Sequence, residues 1–315
     1  MRQPSGFVDK TRSDHVCLLH KSLYGLKQSP RAWFDKFSTF LLEFGFVCSI
    51  KDPSLFIYAK GKNIILLLLY VDDMLLTGNC TDLLQKLLAD LNNQFRMKDL
   101  GKMHYFLEIQ AIIHESCLFL SQERYARDLL AVAGMTDCAL VNTPLPLQLS
   151  KAPHQDKKFE NPSYFRSLAG NLQYLMLTRP DLQFSVNYVC QKMHEPTLSD
   201  FMLLKRILRY VKGMLTHGIN LSKDTDFTLR AYNDSDWAGC HHTRRSTSGL
   251  CTYLGSNLIS WSSKKQPTVS RSSTEAEYRA LSETAAELSW MCSILREIGV
   301  PITVTPELYC DNLSS

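Results

Sequence analysis

Apolar side chains recur along the first 135 residues with two periods, which predicts alternating helices and strands. In some segments they are three and four residues apart, and in others they form short continuous runs bounded by turn residues. The predicted elements are a helix at 32–46, strands at 54–59 and 63–71, a helix capped by Thr81 or Asp82, strands at 104–113 and 117–120, and a helix at 122–132. This pattern indicates an α/β unit.

The middle of the chain changes from a polar segment to a mainly helical one. Residues 136–162 are rich in Pro, Lys and Ser and are weakly periodic, which predicts a linker or a loosely packed crossover. Residues 164–212 have a helical pattern that breaks at Arg179-Pro180-Asp181, where a new helix can begin.

The last part of the chain predicts a sheet with one long helix. Its predicted elements are strands at 227–233, 249–254 and 258–264, a helix at 272–298 and a strand at 307–310. Apolar residues at steps of three and four from Tyr278 to Leu295 specify the helix. The three domains predicted from these patterns are residues 1–135, 136–223 and 224–315.

Two adjacent carboxylates, Asp72 and Asp73, lie between two apolar runs and are the first candidates for chemistry. Their position predicts a hairpin with both acids at its tip. Mg²⁺ prefers carboxylate oxygens, and two such ions can bind the attacking and leaving oxygens of a phosphoryl transfer. Because Asp also favours turns, an ordinary Asp-rich turn is the alternative.

A second set of carboxylates lies at predicted strand ends and at a helix start. Asp234 follows one strand, Glu277 lies in the first turns of the long helix, and Asp311 ends the last strand. If they converge, their repulsion would require divalent cations, which predicts a metal-dependent nuclease site. The alternatives are a capping box of Thr274 with the glutamate and turn roles for the two aspartates.

Charge is unevenly distributed along a chain of ordinary composition. The net charge is +4, with 45% hydrophobic and 21% charged residues. Residues 1–36 alone carry seven basic and three acidic side chains. Such a segment fits phosphate contacts, with a solvated surface as the alternative.

The ten cysteines are scattered, without a Cys-x-x-Cys pair, and no signal peptide precedes them. This predicts reduced thiols in a cytoplasmic or nuclear protein that is not secreted. A zinc site at Cys240-His241-His242 is an alternative that lacks a second ligand pair at zinc-site spacing. The apolar runs are too short to span a bilayer, so we expect no membrane partner.

Several longer stretches resemble the Pol polyproteins of copia-type LTR retrotransposons, in the same order along nearly the whole chain. The stretches similar to reverse transcriptase are LYGLKQSPRAW at 23–33, YVDD at 70–73, DLG at 99–101 and YFL at 105–107. The stretches similar to the following segment are YFRSL at 164–168 and TRPD at 178–181. The stretches similar to RNase H are DSDWAG at 234–239, SWSSKKQ at 260–266, SSTEAEY at 272–278 and YCDN at 309–312.

The resemblance implies a fold of mixed α+β and α/β class. A partial reverse-transcriptase palm with a helical thumb or connection would precede a partial RNase H-like domain with a mixed sheet. The implied activity is Mg²⁺-dependent, two-metal RNA-directed DNA synthesis with ribonuclease H activity, with Mn²⁺ as a substitute ion. The implied partners are an RNA template, a DNA primer, an RNA–DNA hybrid and dNTPs.

The resemblance also implies roles for single residues. The implied catalytic metal ligands are Asp72 and Asp73 in the polymerase and Asp234, Glu277 and Asp311 in RNase H. Glu277 is preferred to Glu275 because it aligns better with the family's catalytic glutamate. The implied nucleic-acid contacts are Lys27, Gln28 and Arg31 for template and nucleotide, and Tyr105 in the hairpin that grips the primer.

The sequence departs from the family pattern at three places. The family has another metal-binding aspartate upstream of the stretch that begins here at Met1. Glu108 replaces the usual Gly of the primer-gripping hairpin and adds negative charge near primer phosphates. The sequence ends at Ser315, before the family's last RNase H helix and fourth acidic ligand.

These departures leave two functions open for this chain. The first is an active reverse transcriptase with RNase H. The alternative is a catalytically incomplete retroelement remnant that binds nucleic acid without turnover, because losing a metal ligand costs several kcal/mol of transition-state stabilisation. A nucleotide cyclase or a plain binding module is the third hypothesis, and the RNase H-like stretches argue against it.

Overall fold

The computed structural model describes residues 1–20, 23, 25–95, 97–147, 157–223 and 226–311. The chain forms two compact units, Met1–Met97 and Lys98–Ser315. The division into three domains stays a prediction. Within the described residues, no helix is both long and apolar enough to cross a bilayer.

The first unit packs two helices on a four-stranded antiparallel sheet. Its elements are α1 (Ser29–Phe44), β1 (Val47–Cys48), β2 (Leu55–Lys60), β3 (Asn63–Tyr70), β4 (Asp73–Gly78) and α2 (Thr81–Phe95), with strand order β1-β2-β3-β4. α1 starts earlier than predicted because Pro30 fits the first helical turn, where its missing N–H is not needed. It ends at Gly45, whose left-handed φ of +111° lets its N–H bond to the Leu41 carbonyl.

Alternating apolar residues of the sheet join the helices in one core. The buried residues shared by α1, α2 and the sheet are Phe37, Leu41, Phe46, Phe56, Tyr58, Ile65, Leu67, Leu69, Leu87 and Leu91. Since β3 buries every second residue from Ile65 to Leu69, its register is fixed and the hairpin at its end has a defined position.

The second unit begins with a four-stranded sheet and a helical core. Its elements are β5 (Tyr105–Phe106), β6 (Ile109–Ile113), β7 (Cys117–Ser121), α3 (Glu123–Val132), α4 (Pro162–Leu175), α5 (Gln183–Cys190), α6 (Leu198–Gly213) and β8 (Gly218–Ser222). Strand order is β5-β6-β7-β8. The single strand predicted at 104–113 was wrong, because Leu107 and Glu108 turn the chain between β5 and β6.

The described start of the predicted linker packs against α6. Arg209 donates to the Ala139 carbonyl at 2.7 Å, and Lys212 donates to the Cys138 carbonyl at 2.8 Å. These charge-assisted bonds attach residues 138 and 139 to α6, and the described residues 136–147 form no helix or strand. The linker or loosely packed crossover expected over 136–162 stays a prediction. Residues 148–156 lie outside the described residues.

The unit ends in a mixed sheet covered by one long helix. Its elements are β9 (Leu229–Asp236), β10 (Thr247–Leu254), β11 (Asn257–Lys265), α7 (Ser273–Glu297) and β12 (Glu307–Cys310). Strand order is β11-β10-β9-β12, and β12 runs parallel to β9 while the other neighbours are antiparallel. The predicted strands and long helix are confirmed.

Candidate metal and nucleic-acid sites

The hairpin that carries Asp72 and Asp73 closes through a two-residue turn. β3 and β4 pair up to Tyr70 opposite Asp73, so only Val71 and Asp72 remain in the turn. Val71 has a left-handed φ of +52°, which costs an L-residue about 1–2 kcal/mol. The paired strands maintain this strain, which is typical of functional sites. The predicted hairpin is confirmed, although Asp73 is the first residue of β4.

Both carboxylates of this hairpin point to solvent. Asp72 and Asp73 are exposed, and within the described residues neither accepts a hydrogen bond nor forms an ion pair. Their oxygens are therefore available to a hard cation such as Mg²⁺. In that same part of the chain, they do not belong to a group of three metal-ligating side chains.

The three basic or amide side chains predicted to contact template and nucleotide lie at the start of α1. Lys27, Gln28 and Arg31 are all exposed, and the Gln28 carbonyl accepts the first helical hydrogen bond from Ala32. Arg31 is 4.0 Å from Asp35 in an exposed pair, which adds little stability. The positive end of the helix dipole and two cations give this surface a potential that attracts phosphate.

Tyr105 lies in the hairpin of β5 and β6, in the second unit. The turn residues Leu107 and Glu108 have φ of +49° and +58°, as in a type I′ turn that favours Asn and Gly. The Tyr105 hydroxyl donates to the Glu108 carboxylate, and the Arg124 guanidinium lies 5.9 Å from the Tyr105 ring centre. Burial, then the Glu108 hydrogen bond and charge, raise the pKa of Tyr105 to about 12. The hydroxyl is therefore a proton donor at neutral pH.

Tyr174 of α4 fixes this turn and was not among the residues predicted from the sequence. Its hydroxyl donates to the Leu107 carbonyl at 2.6 Å, across 67 positions of the chain. Its ring meets Tyr125 edge-on at 5.3 Å. Because the contact is long-range and uses a backbone carbonyl, no local pattern could have predicted it.

Tyr174→Phe is expected to loosen the β5–β6 hairpin by about 1 kcal/mol, the net value of one hydrogen bond. Amide hydrogen exchange in β5 and β6 should accelerate by about fivefold. Tyr125→Phe is the matched control, because its hydroxyl donates to the Asn171 carbonyl and not to the hairpin. Equal exchange rates in the two variants would contradict the role given to Tyr174.

The mixed sheet and α7 bring the second set of carboxylates toward one edge. Asn233 of β9 pairs with Cys310 of β12 in a parallel register. Asp234 and Asp311 are the next residues on the two chains, so both lie at the same end of the sheet. Glu277 of α7 is buried and accepts a hydrogen bond from the Ser235 N–H at 3.1 Å. Burial, then the charge of Asp234 and the charge of Asp311, raise the pKa of Glu277.

A cysteine joins two of these acids. The ligating atoms of Glu277, Cys310 and Asp311 lie within 4.8 Å of one another. Asp234 lies outside that group but is near enough for its charge to act on Glu277. Cys310 was not predicted from the sequence, because its approach to Glu277 depends on the parallel pairing of β12 with β9.

Glu275, the other glutamate considered from the sequence, belongs to the helix cap. Ser272 is the N-cap and accepts from the Glu275 N–H, while the Glu275 carboxylate accepts from the Arg271 N–H at 2.8 Å. It also pairs with Arg279 at 2.7 Å. The alternative capping box with Thr274 was therefore wrong, and Glu277, not Glu275, belongs to the group of three side chains that could hold a metal ion.

The alternative zinc site at Cys240-His241-His242 does not form a three-ligand group among the described residues. Instead, Lys265 lies 2.7 Å from the Cys240 sulfur. Burial alone would raise the pKa of Cys240, but hydrogen bonds from Lys265 and Thr243 outweigh it and lower the pKa to about 6. This thiol is therefore mostly thiolate at neutral pH.

Alkylation of Cys240 by iodoacetamide is expected to reach half its maximal rate near pH 6, because the thiolate is the nucleophile. Lys265→Met should shift this midpoint to higher pH. Peptide mass spectrometry measures each site, and Cys251, whose pKa is raised by burial, is the slow internal control. An unshifted midpoint in the variant would exclude the lysine as the cause.

This chain matches one protein family over part of its length and several relatives over most or all of it. The family described as reverse transcriptase (RNA-dependent DNA polymerase) matches residues 1–146. The retrovirus-related Pol polyproteins from transposons RE2 and RE1 of Arabidopsis thaliana are 49% and 47% identical over all 315 residues, which are 22% of each relative. An uncharacterized mitochondrial protein of Arabidopsis thaliana is 60% identical over 71% of this chain and 93% of that protein. The chain thus spans about a fifth of the polyproteins it matches, and its mixed helices and sheets are compatible with a partial reverse transcriptase.

Proposed function

Because this chain belongs to the copia-type retrotransposon Pol family, we propose that it copies RNA into DNA at Asp72 and Asp73 and cuts the RNA strand of RNA–DNA hybrids near Glu277. The observation that carries the polymerase function is the pair of exposed carboxylates on a rigid hairpin, inside the region that matches reverse transcriptases.

The residues of the hairpin fit divalent metal ions. Asp72 and Asp73 offer hard oxygen ligands, and no cation of the described chain competes for them. Mg²⁺ or Mn²⁺ would act there as a Lewis acid for the oxygens of the phosphoryl transfer. The strand pairing holds Asp73 in a fixed position, so little ordering is needed when a metal binds.

Other residues would orient the nucleic acid. Lys27 and Arg31 at the start of α1 would bind phosphates, with Gln28 as a neutral hydrogen-bonding group beside them. Tyr105, with its hydroxyl fixed by Glu108, offers a half-buried aromatic ring to the primer end. dNTPs, an RNA template and a DNA primer are the proposed ligands.

The proposed nuclease function is supported by the second set of acids. Glu277 and Asp311 have carboxylates within 4.8 Å, and Asp234 adds its charge to theirs. Such repulsion is relieved by a divalent cation, so the donor set fits one. Glu277 would be held in place by its bond from the Ser235 N–H.

The ten cysteines, none in a disulfide, support a cytoplasmic or nuclear location.

A second candidate function is binding of nucleic acid without turnover. It is favoured because no third ligand joins Asp72 and Asp73 within the described residues. Exposed phosphate-binding cations at α1 would remain useful in such a protein.

Two assays on the full chain test these functions. RNA-templated extension of a labelled DNA primer with dNTPs is expected with Mg²⁺ and should stop with EDTA. Cleavage of labelled RNA in an RNA–DNA hybrid should follow the same metal dependence. Retention of the primed RNA in a gel shift, without extension in Mg²⁺ or Mn²⁺, would overturn the polymerase function and support binding alone.

A further inference from the structure

β12 places a sulfur atom in the second group of acids. The Cys310 sulfur lies 3.9 Å from Oε2 of Glu277, and both are within 4.8 Å of an Asp311 oxygen. Glu277 is buried, Cys310 is half-buried and Asp311 is exposed. The group therefore runs from the interior to the surface, and an ion from solvent can reach it at Asp311.

The neighbouring strand adds an unsatisfied amide. Asn233 is 7% exposed, and neither its side-chain oxygen nor its nitrogen has a hydrogen-bond partner in the described structure. It pairs with Cys310 in the parallel register, so the two side chains stand next to each other on the face covered by α7. A buried amide left unpaired is unfavourable, because it has lost its hydrogen bonds to water without replacing them. A polar ligand beside Cys310 would supply the missing partner.

Buried polar groups near Asn233 on the same face differ in their hydrogen bonding. Ser235, two residues further along β9, is also buried, but its hydroxyl accepts from Gln266 at 3.2 Å and its N–H donates to Glu277. The buried Thr252 hydroxyl of β10, opposite Ala231, also lacks a partner in the described structure. Of these groups, the Asn233 amide is the one that stands next to the sulfur.

The ligand types favour a softer ion than Mg²⁺. Mg²⁺ takes oxygen ligands almost exclusively, whereas Zn²⁺ and Cd²⁺ combine thiolate with carboxylate. In a tetrahedral zinc site, a sulfur and an oxygen bound to one ion lie about 3.6 Å apart. The observed 3.9 Å between Cys310 and Glu277 differs from this by a few tenths of an ångström.

We propose that Glu277, Cys310 and Asp311 form a mixed thiolate and carboxylate site that binds Zn²⁺ or Cd²⁺ in preference to Mg²⁺. Sulfur ligates as the thiolate, so binding releases its proton to solvent. A water or anion held by such an ion would lie beside the Asn233 amide and would supply its missing hydrogen-bond partner. A Zn²⁺ ion here would occupy two acids of the proposed nuclease, and only this consequence for RNA cleavage rests on the proposed function.

Cadmium titration of the full chain tests the site without nucleic acid or turnover. Cd²⁺ is added in buffer with excess Mg²⁺, and the ultraviolet charge-transfer band from thiolate to cadmium is recorded. The wild-type chain is expected to show a saturable band that Zn²⁺ displaces. Cys310→Ser should weaken Cd²⁺ binding by at least about tenfold and remove the band of this site.

Matched variants separate this site from the other cysteines and from misfolding. Cys240→Ser removes the other candidate thiolate and should leave the saturable band unchanged. Asp311→Asn keeps the sulfur but should also weaken binding by at least about tenfold. The Cys310→Ser protein should keep its circular dichroism spectrum, since serine is nearly isosteric.

A band and affinity that survive in Cys310→Ser would overturn the site, and so would a band lost only in Cys240→Ser. Because the experiment measures metal binding alone, its result does not depend on whether the chain cleaves RNA. If RNA cleavage is absent but the cadmium band depends on Cys310, the metal site holds while the proposed nuclease fails.

Discussion

Asp72→Asn is expected to reduce Mg²⁺-dependent primer extension on RNA by about three orders of magnitude, or about 4 kcal/mol of transition-state stabilisation. Asparagine keeps the size of the side chain but removes the charge that a hard divalent cation requires. Single-turnover extension with saturating dNTPs measures the chemical step directly.

The fold should not be affected by this change. Asp72 is exposed in the turn and makes no hydrogen bond or ion pair with described residues, so its replacement removes no structural contact. The denaturation midpoint of Asp72→Asn should therefore match that of the wild type. A lowered midpoint would show that the loss of extension came from unfolding.

Asp82→Asn is the matched control in the same unit. Asp82 is exposed in the first turn of α2, so the variant makes the same chemical change outside the hairpin. Its extension rate should stay close to that of the wild type. Equal rates in the wild type, Asp72→Asn and Asp82→Asn would falsify the metal role of Asp72.

Elements with strong local periodicity could be predicted from the sequence. The long helix was predicted at 272–298 and is Ser273–Glu297, because apolar residues repeat along one face. The third strand was predicted at 63–71 and is Asn63–Tyr70, because an apolar run is bounded by a glycine turn and by acids.

Features that depend on distant residues or unusual backbone could not be predicted. The turn at Leu107 and Glu108 carries no Gly or Asn to mark its left-handed conformation, so the pattern predicted one continuous strand at 104–113. Cys310 approaches Glu277 only because β12 pairs parallel with β9, which no local pattern specifies. For the same reason, Asp311 was predicted as a metal ligand from the sequence but Cys310 was not.

The burial of Arg179 could not be predicted either, because the sequence indicated only a helix break at this position. Its side chain is 2% exposed and donates to both carboxylate oxygens of Asp181, at 2.9 and 2.7 Å. It also donates to the Met214 carbonyl at 2.8 Å, while Tyr210 donates to Asp181 at 3.0 Å. The Thr-Arg-Pro-Asp stretch thus ties the start of α5 to the end of α6.

Arg179→Met is expected to lower the free energy of unfolding by about 3–5 kcal/mol, because it leaves Asp181 and a backbone carbonyl without their buried partner. Urea denaturation followed by circular dichroism measures the loss. Arg179→Lys should recover part of it, since lysine keeps the charge but cannot donate to both oxygens at once. Glu195→Gln, which breaks the exposed pair with Lys158, is the control and should change stability little.

The loss of unfolding free energy in Arg179→Met should depend on pH in a defined direction. Burial alone would raise the pKa of Asp181, but the hydrogen bond and charge of Arg179 outweigh it and hold the pKa below the ordinary 3.8. A lowered pKa in the folded state stabilises the protein above the unfolded value, and this stabilisation disappears as pH falls through the folded value. The difference between wild type and Arg179→Met should therefore be constant near neutral pH and shrink below about pH 4. A difference that does not change with pH would mean that the arginine stabilises the unit by packing and not through its pairing with Asp181.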